Sequence, residues 1–251
     1  MPLVGGSTLF AWEEGYSPRL FRILENRRDL LWEIVDDSQL RVTEDVVAKL
    51  NVLHKDYGVR FSVHTPFMHK DILSSDRIKR EESLSDIRRS IALAAKYEAE
   101  YAVIHPGLKN EGLSVAEIVG VWEDLLSTCA DFGLTGLIEN LTRKSVLYRP
   151  QDLCDFRRAI KGPNFMLDTG HANIEGTLDS FMEVVRDLSY FHIHDNEGGV
   201  DSHLRLGRGN INWDRFFSRV IQFRPDAPLV VENMTVGDLD ESVRFALKRL
   251  S

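Results

Sequence analysis

The sequence contains little that would indicate a secreted or membrane-bound protein. Its two cysteines, Cys129 and Cys154, match no metal-ligand or redox spacing, so we expect both to be reduced and helical. No apolar run approaches the ~20 residues that a membrane span requires. Residues 1–6 lack the basic start and the apolar stretch of a signal peptide. These absences predict a cytoplasmic protein with no membrane partner.

A surplus of basic residues is also missing. Lysine and arginine number 31 against 39 aspartate and glutamate residues, which gives a formal net charge of −8. Because nucleic-acid phosphates are bound chiefly by lysine and arginine, this balance disfavours a nucleic-acid partner, although a local basic patch would be compatible with it. No linker, low-complexity tract or change of composition divides the chain, so residues 1–251 are predicted to form one domain.

What the chain does contain is an alternation of short β-rich runs and longer helical ones. The predicted strands are residues 3–6, 30–35, 60–64, 101–105, 135–139, 164–168, 190–194 and 228–233. The predicted helices are residues 17–26, 43–56, 76–97, 114–132, 150–160, 177–187, 212–222 and 238–250. Strands that are each followed by a helix imply parallel pairing, and closure into an α/β barrel of the (β/α)8, or TIM, type leaves no exposed edge. The alternative is an open doubly wound sheet, but no glycine-rich phosphate fingerprint follows the first strand.

Histidines and acidic residues lie where the apolar strands end. They are His64, His105, Glu139, Asp168, His171, His192, His194 and Glu232, and the loop after the seventh strand adds Asp201 and His203. All strand ends of a parallel barrel meet at one mouth, so these side chains are expected to converge. A single histidine of this kind is often a hydrogen-bonded core residue, but a whole succession of strands ending this way indicates a site.

Three of these residues, Glu139, Asp168 and Glu232, bring like charges to one place. Carboxylates that are buried together repel one another, and their burial is costly unless a cation neutralises them. The sequence therefore predicts a divalent metal ion. Imidazole and carboxylate ligands suit zinc, manganese, cobalt, iron(II) or magnesium, and no cysteine thiolate is implicated.

The seventh and second strands carry three residues whose roles need separate interpretation. His192 and His194 are two residues apart on one strand, so both can face the barrel interior. His192 lies deeper and is predicted to be a metal ligand, whereas His194 is predicted to contact substrate or to hold a ligand in place. Glu33, on the second strand, is either a substrate-binding residue at the mouth or part of an ion pair at the barrel rim.

At these residues the sequence resembles the xylose isomerase-like superfamily of TIM barrels, in its sugar-phosphate isomerase/epimerase and endonuclease IV branches. The matching motifs are residues 105–107 (HPG), 167–171 (LDTGH), 192–196 (HIHDN), 201–203 (DSH) and 206–213 (LGRGNINW). The resemblance runs nearly the full length of the chain and is clearest from Val59 onward.

The resemblance implies two layers of ligands. Isomerases and epimerases of the superfamily hold one metal with residues that match Glu139, Asp168, His192 and Glu232. Their substrate-contacting histidine, three residues after the aspartate, matches His171. Endonuclease IV enzymes add further ligands for a three-zinc cluster, and the matching positions are His64, His105, His171, Asp201 and His203. One metal ion is therefore expected, and up to three are compatible with the residues present.

The favoured function is the metal-dependent isomerisation or epimerisation of a sugar or sugar phosphate. A metal would polarise the substrate carbonyl and the neighbouring hydroxyl, which lowers the energy of the enediolate formed on deprotonation. Glu139 and Glu232 would act as base and acid on either side of the substrate. Arg205 or Arg208 would bind a phosphate or hydroxyl at its far end.

The alternative function is zinc-dependent cleavage of abasic DNA, as in endonuclease IV. Clustered zinc ions would generate hydroxide there. Phe67 and Met68 could wedge into DNA, but packing at the rim is the favoured interpretation of them. Three departures weigh against it. The segment after Glu139 lacks a glycine-containing run, His194 stands where these nucleases usually have Asn, and no basic cluster accompanies the mouth. A barrel with altered catalysis, or an aldolase or dehydratase that uses enolate chemistry, is also compatible with the fold.

Overall fold

Eight parallel strands close into a barrel in the computed structural model, which describes residues 3–109 and 112–250. The strands are β1 (Val4–Ser7), β2 (Leu31–Val35), β3 (Arg60–His64), β4 (Tyr101–Ile104), β5 (Thr135–Ile138), β6 (Asn164–Asp168), β7 (Leu188–Ile193) and β8 (Leu229–Val231). Each strand pairs with its neighbour in the chain, and β8 pairs with β1 to complete the ring. The predicted (β/α)8 barrel is therefore confirmed.

Helices connect successive strands around the outside of the barrel. They are α1 (Pro18–Asn26), α2 (Glu44–Tyr57), α3 (Arg77–Lys96), α4 (Val115–Asp131), α5 (Pro150–Ala159), α6 (Thr169–Ile174), α7 (Leu178–Glu183), α8 (Trp213–Phe223) and α9 (Val236–Leu250). Short 3₁₀ segments are present at Thr8–Ala11, Ser38–Leu40 and Val185–Asp187. In the described part of the chain, no helix combines the length and the apolar character needed to cross a membrane.

The short helix α6 departs from the predicted elements, which have no helix directly after the sixth strand. It begins where β6 ends, and the Asp168 side chain caps it by accepting a hydrogen bond from the backbone N–H of His171 at 2.7 Å. Six residues are too few for an apolar stripe to emerge, so pattern-based reasoning does not detect such a helix. The cap brings the His171 ring to within 3.5 Å of the Asp168 carboxylate.

The barrel interior is filled by successive layers of side chains. One layer is apolar and consists of Leu31, Val103, Leu137, Met166, Tyr190 and Val230. The residues two positions farther along the same strands, or just past their ends, are Glu33, His105, Glu139, Asp168, His192 and Glu232. Because side chains alternate between the two faces of a strand, this second group also faces the interior, one layer closer to the C-terminal mouth. Residues that are two positions apart in sequence thus lie in adjacent layers, the polar layer above the apolar one.

The loop between β7 and α8 is held at the mouth by one buried carboxylate. Asp195 accepts hydrogen bonds from the Trp213 indole N–H at 2.8 Å, from the Gly207 N–H at 2.8 Å and from the Ile211 N–H at 3.3 Å. These bonds tie distant parts of the loop to a single side chain. The loop carries His203 with a left-handed φ of 44°, which a non-glycine residue keeps only where its surroundings enforce it.

Replacement of Asp195 is expected to destabilise the protein strongly. Asp195→Ala leaves several buried N–H groups without an acceptor, so the free energy of unfolding should fall by about 3 kcal/mol. Asp195→Asn retains one acceptor oxygen and should lose less. Urea unfolding followed by circular dichroism measures both changes, and an Asp195→Ala protein as stable as wild type would contradict the anchoring role.

Candidate metal centre

Glu139 lies at the centre of the polar cluster at the mouth. Its Oε2 atom is 3.2 Å from His105 Nε2 and 3.5 Å from His64 Nε2. Its Oε1 atom is 3.3 Å from His192 Nδ1 and 3.5 Å from His171 Nδ1. Imidazoles from four separate segments of the chain therefore meet one carboxylate, as expected for strand ends that converge in a closed barrel.

His192 Nδ1 is the common neighbour of three carboxylates. It lies 3.3 Å from Glu139 Oε1, 3.6 Å from Glu232 Oε2 and 3.8 Å from Asp168 Oδ2. None of these four residues is more than 5% exposed. The structure thus brings together the four residues that were predicted to hold one metal, and they supply the oxygen and nitrogen donors that divalent metals bind.

The remaining predicted ligands form two groups beside these four. His64 and His105 lie on one side, with ring centroids 5.0 Å apart. On the other side, Asp201 Oδ2 is 3.2 Å from His171 Nε2 and 3.3 Å from His203 Nε2. All nine predicted ligands are therefore linked in one continuous cluster.

His194 is a further candidate ligand, although sequence reasoning predicted for it a contact with substrate or a supporting role. Its Nε2 atom lies 3.2 Å from Asp168 Oδ2, and its ring stacks on that of His203 with centroids 4.0 Å apart. A Cβ atom at Gly170 would come within 1.9 Å of the His194 ring, so this position requires glycine. His194 is as fully buried as His192. Their spacing of two residues on one strand is the sequence signal that points to both.

Three residues predicted to bind substrate do not reach the cavity at the mouth. Glu33 is fully buried, and His192 Nε2 lies 3.0 Å from its carboxylate, beneath the cluster. Arg205 forms an ion pair with Glu241 in α9. Arg208 is exposed, and neither arginine lines the cavity. Glu33 lies in the middle of β2, and both arginines lie far along the loop after β7, so none of the three lines the cavity and their substrate contacts stay predictions.

A cavity of about 320 Å³ opens onto the cluster. Its polar lining consists of His64, His105, Glu139, His171, Asp201, His203 and Glu232, and its apolar lining consists of Leu9, Trp12, Val35, Phe67, Met68 and Met234. No lysine or arginine is among these residues. Asp37 holds part of the apolar wall, because its Oδ2 atom accepts hydrogen bonds from the backbone N–H groups of Phe67 and Met68, each at 2.7 Å.

Charges at the mouth raise the pKa of two histidines and lower that of one aspartate. Burial disfavours the charged form of His64, but the hydrogen bond and charge of Glu139, together with the charges of Glu33 and Glu232, outweigh it and raise the pKa of His64 to about 9. The same balance, with Asp201 as the hydrogen-bonding partner, raises the pKa of His203 to about 9. Burial opposes ionisation of Asp201, yet His171 and His203 hold its pKa below the usual range. Without a metal, imidazolium groups therefore carry the positive charge that the carboxylates require.

Several buried polar atoms of the cluster have no hydrogen-bond partner. They are Glu139 Oε2, Asp201 Oδ1 and His194 Nδ1, together with Glu33 Oε1 beneath the cluster. Buried polar atoms are nearly always paired, so a group of unpaired oxygen and nitrogen atoms indicates a ligand. Imidazole and carboxylate donors also form several triplets whose atoms lie within 4.8 Å of one another. The residues present therefore fit a divalent metal ion.

A family model described as a xylose isomerase-like TIM barrel matches residues 30–250. The chain belongs to this family. The match spans strands β2 to β8 and includes every residue of the cluster. The resemblance to xylose isomerase-like barrels is thereby confirmed.

Proteins of similar sequence or structure match this chain over most of its length. The crystal structure of a D-tagatose 3-epimerase-like protein superposes with a TM-score of 0.88 at 25% identity, over 99% of this chain and 97% of that one. An uncharacterized protein of Methanocaldococcus jannaschii is 28% identical, over 95% of this chain and 86% of its own length. A protein of Haloarcula marismortui named probable endonuclease 4 is also 28% identical, over 80% of this chain and 78% of its own length.

The raised histidine pKa values predict how the metal-free protein responds to pH. His64 and His203 have pKa values of about 9 in the folded protein against 6.5 without these contacts. Their stabilising contribution is therefore complete below pH 6.5 and is lost as the pH rises through about 9. Calorimetry of chelator-treated protein should show a melting temperature that falls over this range. His203→Asn, which tolerates the left-handed backbone, should show a shallower decline, and equal slopes would contradict the assignment.

Proposed function

We propose that the protein is a divalent-metal-dependent isomerase or epimerase that acts on a small, unphosphorylated sugar. The observation that carries the proposal is the grouping of Glu139, Asp168 and Glu232 around His192 Nδ1 beside an open cavity. Epimerisation requires a carbon to lose and regain a proton, and carboxylates that border one cavity are suited to accept and return it. The similarity to a D-tagatose 3-epimerase-like protein supports the same class of reaction.

Each residue of the cavity has a separate role in the proposed reaction. A bound divalent metal would supply positive charge to the carbonyl and neighbouring hydroxyl oxygens of the sugar, which makes the adjacent carbon more acidic. Glu139, after β5, and Glu232, after β8, line the same cavity and would take and return the proton. His171 lies beside them, with Nδ1 3.1 Å from the Asn140 carbonyl oxygen. Held in this way, its ring would contact a hydroxyl of the substrate.

The lining of the cavity favours a free sugar over a sugar phosphate. Phosphate groups in proteins are bound by arginine, lysine or helix N-termini, and no arginine or lysine of the described residues lines this cavity. The carboxylates of Glu139 and Glu232 would repel a phosphate dianion that lies in the same cavity. The apolar part of the lining includes Trp12 and Phe67, whose ring centroids are 5.9 Å apart, and offers apolar contact to the carbon-bound hydrogens of a sugar.

Cleavage of abasic DNA is the second candidate, and one observation favours it. His64 with His105, and Asp201 with His203, provide donor groups for further metal ions beside the first site. The relative named probable endonuclease 4 supports the same alternative. The net charge of −8 and the absence of basic side chains from the cavity lining offer little to a DNA backbone, so we rank it below epimerisation.

Neutralising either cavity glutamate is expected to abolish the proposed reaction. Glu139→Gln and Glu232→Gln keep the size of the side chain but remove the proton acceptor, so the rate should fall by at least about 100-fold. NMR detection of hydrogen–deuterium exchange at carbon, in a ketohexose incubated with manganese-loaded protein, measures the step directly. Glu117→Gln, in the first turn of α4, is the matched control and should exchange as wild type does.

Two outcomes would contradict this assignment. Unchanged exchange in Glu139→Gln would remove the basis of the site. Incision of an abasic duplex that is lost on chelation, together with about three zinc ions per chain by elemental analysis, would place the nuclease first. About one ion per chain is the expected result.

A free ketohexose should be a better substrate than the same sugar with a terminal phosphate. The phosphate would meet carboxylates and apolar side chains and find no lysine or arginine among the described lining residues, so kcat/KM should be lower by at least about 10-fold. Initial rates measured with the two sugars at equal concentrations test this. A preference for the phosphate ester would refute the inferred substrate class and leave the metal site intact.

A further inference from the structure

A buried carboxylate with no access to the cavity lies directly beneath the cluster. Glu33, in the middle of β2, is fully buried, and His192 Nε2 lies 3.0 Å from each of its two oxygens. The Tyr190 hydroxyl donates a hydrogen bond to Glu33 Oε2 at 2.9 Å. Ser62, which pairs with Glu33 across β2 and β3, contacts the same hydroxyl at 2.9 Å.

The direction of these hydrogen bonds follows from the groups involved. An ionised carboxylate has no hydrogen to donate, so both Tyr190 and His192 Nε2 donate to Glu33. Ser62 must then donate to the Tyr190 oxygen. A neutral imidazole with its hydrogen on Nε2 has its lone pair on Nδ1, the atom that faces the three carboxylates of the inner site.

We infer that Glu33 is a positioning residue for the metal site, which fixes the ring of His192 so that Nδ1 is presented to a divalent metal. A lone pair directed at several carboxylates is unfavourable, so a cation must lie between them, either a proton on Nδ1 or a metal ion that replaces it. The hydrogen bond from Nε2 to a carboxylate also makes the imidazole a more basic ligand. Glu33 therefore acts through His192 and does not contact the substrate, and this inference rests on the proposed metal site.

Stability alone does not account for a carboxylate at this position. A buried charge is costly, and replacement of buried ionic groups by apolar residues of similar size is often neutral or stabilising. Among the ion pairs of the described residues, Glu33 has no lysine or arginine partner and lies against the His192 ring alone. Its Oε1 atom also has no hydrogen-bond partner. Metal binding by His192 would explain the buried Glu33 carboxylate, whereas packing does not.

Zinc affinity tests the inference independently of enzyme activity. In competition with a chromophoric chelator at fixed pH, Glu33→Gln should raise the dissociation constant for zinc by about 10-fold or more. Tyr190→Phe, which removes only the hydroxyl that orients Glu33, should raise it by a smaller factor. Asp152→Asn is the matched control: it alters a buried carboxylate that holds the start of α5, so it should lower thermal stability and leave zinc affinity unchanged.

The tautomer of His192 provides a spectroscopic readout that a merely structural role would not move. In zinc-loaded protein labelled with ¹⁵N-histidine, NMR should show a protected hydrogen on His192 Nε2, and Glu33→Gln should shift or remove this signal while Asp152→Asn retains it. A hydrogen on Nδ1 in wild type, or a zinc affinity of Glu33→Gln within about twofold of wild type, would overturn the inference. A wild-type protein that binds no zinc, manganese or cobalt would instead refute the proposed metal-dependent function, and this inference with it.

Discussion

Side chains on a barrel strand point either into the barrel or away from it, and this alternation governs both the core and the site. Leu137 and Tyr190 belong to the apolar layer inside the barrel, and the next inward positions on their strands are Glu139 and His192. The apolar layer keeps water away from below, so charges in the polar layer interact in a medium of low dielectric constant. The packing that stabilises the barrel thus also concentrates its chemistry at the mouth.

Charge balance is the consequence of that concentration. The carboxylates at the mouth are buried, and in the described part of the chain no lysine or arginine lines the cavity, so positive charge has to come from imidazolium groups or from a metal. Protons and metal ions therefore compete for the same donors, since a histidine must be neutral to bind a metal. Stability, pH response and metal affinity therefore depend on the same cluster of side chains. Glu33, in the layer below, is linked to this cluster by its contact with the His192 ring.

The donor atoms alone do not separate an epimerase from a nuclease, because both branches of the superfamily use carboxylates and imidazoles at the same strand ends. What separates them lies around the ligands. Among the described residues, the cavity lining includes Trp12 and Phe67 but no lysine or arginine, and this suits a small neutral molecule. A DNA backbone is bound chiefly by lysine and arginine, which the described lining does not provide. The ranking of the two functions therefore depends on residues that bind no metal.

The barrel and most of the candidate ligands could be predicted from the sequence, because strand periodicity and the residue that follows each strand are local properties of the chain. The ligands at the strand ends converge for that reason, and His194 joins them by the same spacing of two. Three features depend on the tertiary structure: the formation of α6 after β6, the ion pair of Arg205 with Glu241, and the position of Glu33 beneath His192. Glu33 and His192 are 159 residues apart, and only the closed barrel brings their side chains into hydrogen-bonding contact. The alternation along a strand determines that both side chains face the interior, but which partner each one meets depends on distant parts of the chain.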